Sequence, residues 1–151
     1  MNRLFYMVQT AIGLILRHPM FGVCLIPILP EGQIALVKRR DNGCWSLPGG
    51  MVDWGETIDQ AMKRELSEET GLTITRRGRL VGLYSAPNRD PRFHSICVAI
   101  EVYVQGKPLI KDIHELSEVQ LFTLEEASQK NLSHDHTQIL EDYHCGKTSI
   151  N

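Results

Sequence analysis

One stretch of the chain combines helical periodicity with a concentration of acidic residues. Residues 50–72 read GMVDWGETIDQAMKRELSEETGL. Thr57, followed by Gln60 three positions later, forms a capping-box pattern, and Gly71 is a residue type that commonly ends helices. The apolar residues between them recur at helical spacing, at Ile58, Ala61, Met62 and Leu66. The stretch therefore predicts an amphipathic helix that begins after Thr57 and runs to about residue 70.

Three glutamates, Glu65, Glu68 and Glu69, occupy one face of this predicted helix. Residues at i, i+3 and i+4 are neighbours on a helix surface, where like charges repel by roughly 0.2–0.5 kcal/mol per pair. A divalent cation would reverse the sign of that penalty, because magnesium prefers a few oxygen ligands and keeps several waters. The alternative is an ordinary solvated acidic face, on which Arg64 and Glu68 form an i,i+4 pair.

The order of residue types in this stretch resembles the Nudix box, G-x5-E-x7-R-E-U-x-E-E-x-G-U, in which U is apolar. Every specified position is filled here, by Gly50, Glu56, Arg64, Glu65, Leu66, Glu68, Glu69, Gly71 and Leu72. Seven of these positions require one residue type. At ordinary usage frequencies, the chance of such a match at a given start is on the order of one in 10⁸ or rarer. The chain is therefore identified as a member of the Nudix hydrolase family.

The resemblance implies a Nudix fold, which is an α/β/α sandwich around a mixed central sheet. It also implies an Mg²⁺-dependent hydrolase, with Mn²⁺ as the alternative metal, that cleaves a nucleoside diphosphate linked to another group X. In such sites divalent ions neutralise the anhydride, lower the pKa of a bound water and clamp the attacking and leaving oxygens. The implied metal ligands are Glu65, Glu68, Glu69 and the Gly50 carbonyl, and Glu65 and Glu68 also count as catalytic residues.

Other roles implied by the family fall on residues in and after the box. Glu56 and Arg64 are expected to pair and hold the loop onto the helix, and Gly71 to stop the helix. The general base in relatives is either a box glutamate or a glutamate on a later loop. Here Glu115, within residues 112–118, is the preferred extra carboxylate. A neighbouring Glu118 and a merely solvated loop glutamate are the alternatives.

Basic residues outside the helix are candidates for holding the substrate. Arg39, in the run Lys38-Arg39-Arg40, offers a bidentate fork to a phosphate. Residues 87–94, PNRDPRFH, resemble the D-P-R-x-H loop common among ADP-ribose pyrophosphatases. That likeness makes Arg89 and Arg92 candidates for contacts with phosphate or the terminal ribose. Trp45 is either an aromatic near the nucleobase or a packing residue.

The remaining sequence has the α+β pattern of strands with segregated helices. Strands are predicted at residues 23–29, 33–37, 80–84, 95–104 and 119–122, the first two as a hairpin, and helices at 124–130 and 135–144. Apolar residues at helical spacing between residues 4 and 16 predict an N-terminal amphipathic helix, within residues 1–19, packed on a single domain of residues 1–151. That run is too short to span a bilayer.

The composition excludes some classes of protein. The 151 residues include 16 Lys and Arg and 18 Asp and Glu, with a net charge of −2. This balance excludes a polybasic nucleic-acid binder and a disordered acidic protein. Four dispersed cysteines predict reduced thiols and hence a cytoplasmic location. We expect a small-molecule nucleotide as the partner, with no nucleic acid and no membrane. Because many relatives are dimers, a homodimer is left open.

Three functions compete at this point. The leading hypothesis is a pyrophosphatase that converts ADP-ribose or an ADP-sugar to AMP and a sugar phosphate, because the intact box is accompanied by the loop at residues 87–94. The first alternative is a nucleoside triphosphate pyrophosphohydrolase of the 8-oxo-dGTP type. The second is a non-catalytic nucleotide-binding sensor. Such sensors usually carry a damaged box, whereas the box in this chain is intact.

Overall fold

Eight strands form one mixed sheet within residues 18–151. The structure, a computed structural model, describes residues 7–8 and 18–151, so the predicted N-terminal helix lies almost entirely outside the described residues. The strands are β1 (Met20–Ile28), β2 (Ile34–Arg39), β3 (Trp45–Ser46), β4 (Gly49–Met51), β5 (Thr73–Tyr84), β6 (Ser95–Gln105), β7 (Leu116–Phe122) and β8 (Ser149–Ile150). The helices are α1 (Ile58–Thr70), α2 (Leu124–Ser128) and α3 (His136–His144).

The strand order along the sheet is β3-β2-β1-β6-β5-β8, with β4 paired to β1 and β7 paired to β2. β1 runs parallel to β6 along its whole length, and β5 runs parallel to β8. β1 meets β2 at one pair, Ile28 and Ile34, because β4 occupies the other half of that edge, from Gly22 to Cys24. This split places Gly49 and Gly50 inside the sheet, beside the start of β1.

The two faces of the sheet bury different helices. Alternate residues of β1 point to opposite faces. Val23 and Leu25 belong to the apolar cluster that contains Ala61, Met62 and Leu66 of α1. Cys24 and Ile26 belong to the cluster that contains Ala127 of α2 and Ile139 and Leu140 of α3. Helices therefore cover both faces, and the predicted α/β/α sandwich with a mixed sheet is confirmed.

Helix α1 begins and ends as the sequence predicts. The Thr57 hydroxyl accepts a hydrogen bond from the backbone N–H of Gln60, and the Gln60 side chain accepts one from the N–H of Thr57. Gly71 ends the helix at φ 69°, in the left-handed region, and its N–H donates to the Ser67 carbonyl. The capping-box and glycine-stop predictions are both confirmed.

Other element boundaries differ from the sequence predictions. β5 begins at Thr73 rather than residue 80, because its first half carries exposed arginines and register shifts that hide the strand pattern. β7 begins at Leu116 rather than residue 119, and α2 ends at Ser128 rather than residue 130. The predicted break at residues 48–50 contains β4.

The structure shows the state of the cysteines and the length and apolar character of the described helices. All four cysteines are free, as predicted, and Cys24 and Cys97 are the buried ones. Among the described residues, no helix has both the length and the apolar character needed to cross a membrane.

Candidate active site

The loop between β4 and α1 is held onto the helix by Arg64. Arg64 donates from Nε to Glu56 Oε1 over 2.9 Å and from Nη2 to Glu56 Oε2 over 2.8 Å, so the predicted Glu56–Arg64 pair is present and bidentate. Nη2 also donates to the Met51 carbonyl. The hydrogen bond to Glu56 raises the pKa of Arg64 and lowers that of Glu56. Arg64 thereby connects α1, its preceding loop and β4.

Two of the three box glutamates lie against the backbone of Gly49 and Gly50. Glu69 Oε2 accepts a hydrogen bond of 2.8 Å from the Gly49 N–H. A Cβ added at Gly50 would overlap the carboxyl group of Glu65, so the present position of that carboxyl depends on glycine at residue 50. Glu68 is exposed, and its Oε2 lies 3.7 Å from Nη1 of Arg64. The structure therefore brings Glu65, Glu69 and Gly50 together and leaves Glu68 at the rim.

Burial changes the protonation of the two inner carboxyl groups. It raises the pKa of Glu69 to about 8, although the Gly49 N–H opposes the change. Burial also raises the pKa of Glu65, against the hydrogen bond from Arg64 Nη1 at 2.7 Å. For each inner carboxyl group, the cost of removing its charge from water outweighs the hydrogen bond that favours the ionised form.

The donor set fits a magnesium-type cation by its chemistry. Carboxylate and carbonyl oxygens are the ligands that Mg²⁺ prefers, and the raised pKa values mark the place where a cation would be favourable. Among the described residues, however, no three His, Cys, Asp or Glu side chains are arranged as a preformed metal site. Glu65 is engaged by Arg64, and Glu68 would have to turn inward from Arg64 to join Glu69.

A cleft that is partly open to solvent adjoins Gly49 and Gly50. Its lining includes all three arginines singled out in the sequence, Arg39, Arg89 and Arg92. Each guanidinium makes a two-point ion pair with one carboxylate: Arg39 with Asp41, Arg89 with Asp135, and Arg92 with Asp90. The three arginines that the sequence predicts to contact the substrate are therefore each paired with an aspartate.

The three arginines differ in what they can still donate. Arg89 is 7% exposed and gives its third donor, Nη1, to Ser95 Oγ at 2.6 Å. Arg92 is 51% exposed, and the Nη1 groups of Arg39 and Arg92 donate to no other described residue. Arg39 and Arg92 therefore each keep an N–H donor for a ligand. The Arg89 guanidinium, by contrast, already binds Asp135 and Ser95.

Glu115 lies close to this charge cluster. The backbone N–H groups of Lys111 and Asp112 donate to the Glu68 carbonyl, and the Glu115 N–H donates to Asp112 Oδ1 at 3.3 Å. These bonds attach the loop before β7 to α1. The rise in the pKa of Glu69 is due first to burial, and the charge of Glu115 adds to it. The Glu115 carboxylate is therefore within electrostatic reach of the inner glutamates.

Trp45 is placed elsewhere and does not line the cleft that the described residues form. Its ring packs edge-on against Phe122, with ring centres 5.0 Å apart, and Lys38 Nζ lies 5.6 Å from its ring centre. Of the two alternatives for Trp45, the structure shows the packing contact.

Residues 133–136, SHDH, contribute to the cleft and have no role in the sequence analysis. His134 and His136 line the cleft, and Asp135 holds Arg89. His136 Nδ1 accepts the backbone N–H of Leu47 at 3.0 Å. An aspartate flanked by histidines at the start of a predicted helix is the sequence signal that could have indicated this segment.

Gly50→Ala is expected to destabilise the fold by about 1 kcal/mol, because the new Cβ would displace the Glu65 carboxyl group from its hydrogen bond with Arg64 Nη1. The same substitution should cost less in a Glu65→Ala background, in which that carboxyl is gone. Urea unfolding of the four proteins of this double-mutant cycle measures the coupling. Equal costs in the two backgrounds would contradict the placement of Glu65 against Gly50.

Comparison with known proteins identifies the family of the chain. The NUDIX domain model matches residues 18–143. An ADP-ribose pyrophosphatase of Methanocaldococcus jannaschii is 41% identical over 129 residues, which cover 83% of this chain and 73% of that protein.

Two solved structures share the fold. The NUDIX domain of Shewanella oneidensis NrtR, complexed with ADP ribose, has a TM-score of 0.77 at 23% identity and covers 97% of this chain and 99% of that one. A bifunctional NMN adenylyltransferase/ADP ribose pyrophosphatase of Francisella tularensis, complexed with AMP and a manganese ion, has a TM-score of 0.73 at 23% identity, over 93% of this chain and 46% of that one. The chain belongs to the Nudix family of hydrolases.

Proposed function

We propose that this chain hydrolyses the pyrophosphate bond of ADP-ribose or an ADP-sugar, giving AMP and a sugar phosphate, with Mg²⁺ as the cofactor. The observation that carries the proposal is the position of Glu65 against Gly50 and of Glu69 against Gly49, beside a cleft lined by Arg39 and Arg92. Carboxylates for a cation thus adjoin donors for a phosphate. The name of the 41% identical archaeal relative supports ADP-ribose as the substrate.

Each residue takes a distinct part in this proposal. Glu65, Glu68, Glu69 and the Gly50 carbonyl would hold Mg²⁺, or Mn²⁺ in its place, and the metal would neutralise the anhydride and activate water. Arg39 and Arg92 donate their free Nη1 groups to phosphate oxygens. Arg89, through Asp135 and Ser95, positions the loop that carries Arg92.

Glu115 is proposed as the general base, so Glu115→Gln is expected to lower kcat by about 10²–10⁴-fold. Glu118→Gln is the matched control, since Glu118 lies three residues away and pairs with Lys38 Nζ at 3.1 Å. We expect that control to keep kcat within about threefold, as exposed ion pairs contribute little. Steady-state kinetics on both variants decides the assignment. If Glu118→Gln shows the larger loss, Glu118 is the base.

A substrate panel tests the proposed function as a whole. Purified protein with Mg²⁺ would be assayed on ADP-ribose, NADH, GDP-mannose, dGTP and 8-oxo-dGTP, with products identified by chromatography. We expect ADP-ribose or another ADP-linked compound to give the highest kcat/KM and to release AMP. A clear preference for a nucleoside triphosphate would overturn the proposal, and nucleotide binding without turnover would favour a sensor.

A further inference from the structure

His134 has a positive φ, which is uncommon for a residue with a Cβ. Its φ of 56° is the only positive φ of a non-glycine residue among those described. The left-handed region costs free energy for any residue with a Cβ, and such strain persists where the surroundings fix it. Here the flanking residues are fixed, because the Ser133 N–H donates to the Trp45 carbonyl and Asp135 binds Arg89.

The imidazole of His134 lines the cleft and is half-buried. Its ring lies edge-on to His136, with ring centres 5.7 Å apart. Neither ring nitrogen makes a hydrogen bond to another described residue, although most polar atoms of His136 and of the neighbouring arginines are bonded. Because no buried side-chain nitrogen or oxygen of the described residues lacks a partner, the ring nitrogens of His134 face solvent in the cleft, where a ligand can reach them.

The charges that face His134 keep it uncharged near neutral pH. Burial lowers the pKa of His134, and Arg39, Arg92 and Arg89 lower it further, whereas Asp90 opposes them. A neutral imidazole has one donor and one acceptor nitrogen. This donor and this acceptor suit a hydroxyl group, which can both accept and donate a hydrogen bond. They suit a phosphate less well, because its oxygens only accept hydrogen bonds at neutral pH.

The cleft that His134 lines also contains Arg39, Gly49 and Gly50. The charge of Arg39 acts on both Glu69 and His134. A diphosphate bound by Arg39 and, through a cation, by Glu65 and Glu69 would place its attached group in the cleft that His134 lines. Phe93, whose ring centre lies 5.2 Å from the Arg92 guanidinium, adds an apolar wall to that end of the cleft.

We infer that His134 is a specificity-determining residue that hydrogen-bonds a hydroxyl of the sugar attached to the diphosphate. This inference rests on the proposed function, because it takes the diphosphate to lie between the glutamates and Arg39. A hydroxyl bonded to the neutral imidazole would favour a sugar over a further phosphate at this position, because a third phosphate would bring extra negative charge to a group that has no positive charge.

Two variants that both accept a positive φ separate the effect of the side chain from the effect of the backbone strain. His134→Gly and His134→Asn both accept a positive φ, but the asparagine amide keeps a donor and an acceptor. We expect His134→Gly to raise KM for ADP-ribose about 3- to 10-fold, the equivalent of one neutral hydrogen bond, with kcat nearly unchanged. His134→Asn should recover most of that loss. For ATP, kcat/KM should be the same in all three proteins.

Binding to the metal-free protein gives a second readout that is independent of turnover. Calorimetry in EDTA should show a weaker Kd for ADP-ribose in His134→Gly, with the Kd for ATP unchanged, and thermal melting should show no loss of stability, since glycine relieves the strain. Equal effects on both nucleotides, or none on ADP-ribose, would overturn the inference. If ADP-ribose binding alone is weakened but the wild-type protein does not hydrolyse it, the proposed function fails and the inference stands.

Discussion

Replacing Glu69 by glutamine is expected to lower kcat/KM by about 10²–10³-fold, which corresponds to the several kcal/mol that a bound metal supplies to the transition state. Glutamine has the shape of the neutral acid and retains an acceptor for the Gly49 N–H. Because burial raises the pKa of Glu69 to about 8, its carboxyl is mostly protonated at pH 7 without metal. The metal-free variant should therefore be at least as stable as the wild-type protein.

Thermal melting with and without Mg²⁺ distinguishes loss of the metal from loss of the fold. Mg²⁺ should raise the Tm of the wild-type protein and leave that of Glu69→Gln unchanged, since a ligand stabilises only the state that binds it. Glu141→Gln, an exposed change on α3, is the control and should retain both the activity and the Mg²⁺ response. Unchanged turnover in both Glu68→Gln and Glu69→Gln would contradict the assignment of these residues as metal ligands.

The part of the molecule that could be predicted from sequence is the part made by local interactions. The limits of α1 follow from Thr57, Gln60 and Gly71, which act within one helical turn of each end. The Glu56–Arg64 pair follows from the spacing in the box. The start of β5 was missed because Arg76 and Arg77 make exposed contacts, with the Tyr103 ring and with Asp59, that replace the usual apolar alternation.

The cleft depends on contacts between distant parts of the chain. Arg39 comes from β2, Arg89 and Arg92 from the loop before β6, and His134 from the loop before α3. The pairing of Arg89 with Asp135 spans 46 positions, and nothing in local spacing indicates it. The sequence therefore suggested that Arg89 is available to phosphate, whereas Asp135 holds it. The acidic partners of Arg39 and Arg92, by contrast, lie only two residues away, at Asp41 and Asp90.

His136 is expected to make the fold less stable at acidic pH. Its Nδ1 accepts the Leu47 N–H, so the ring proton is on Nε2, which lies 3.8 Å from Cys24 Sγ. Protonation would place a second donor opposite the Leu47 N–H in a fully buried position. Burial accordingly lowers the pKa of His136 to about 3, whereas an unfolded histidine has a pKa of about 6.5.

Between pH 6.5 and 3 the unfolded chain binds a proton at His136 that the folded protein does not, so this residue makes the fold less stable as pH falls, by about 1.4 kcal/mol per pH unit. Glu69 acts in the opposite direction, because its raised pKa favours the folded state as pH falls below 8.

The wild-type pH dependence alone therefore does not isolate His136, and a comparison with His136→Asn does. Asparagine keeps an acceptor for Leu47 and does not titrate. Urea unfolding in EDTA at pH 7 and pH 5 should show that the wild-type protein loses about 2 kcal/mol more than the variant over this interval. Equal losses in the two proteins would mean that His136 is not held neutral by its burial.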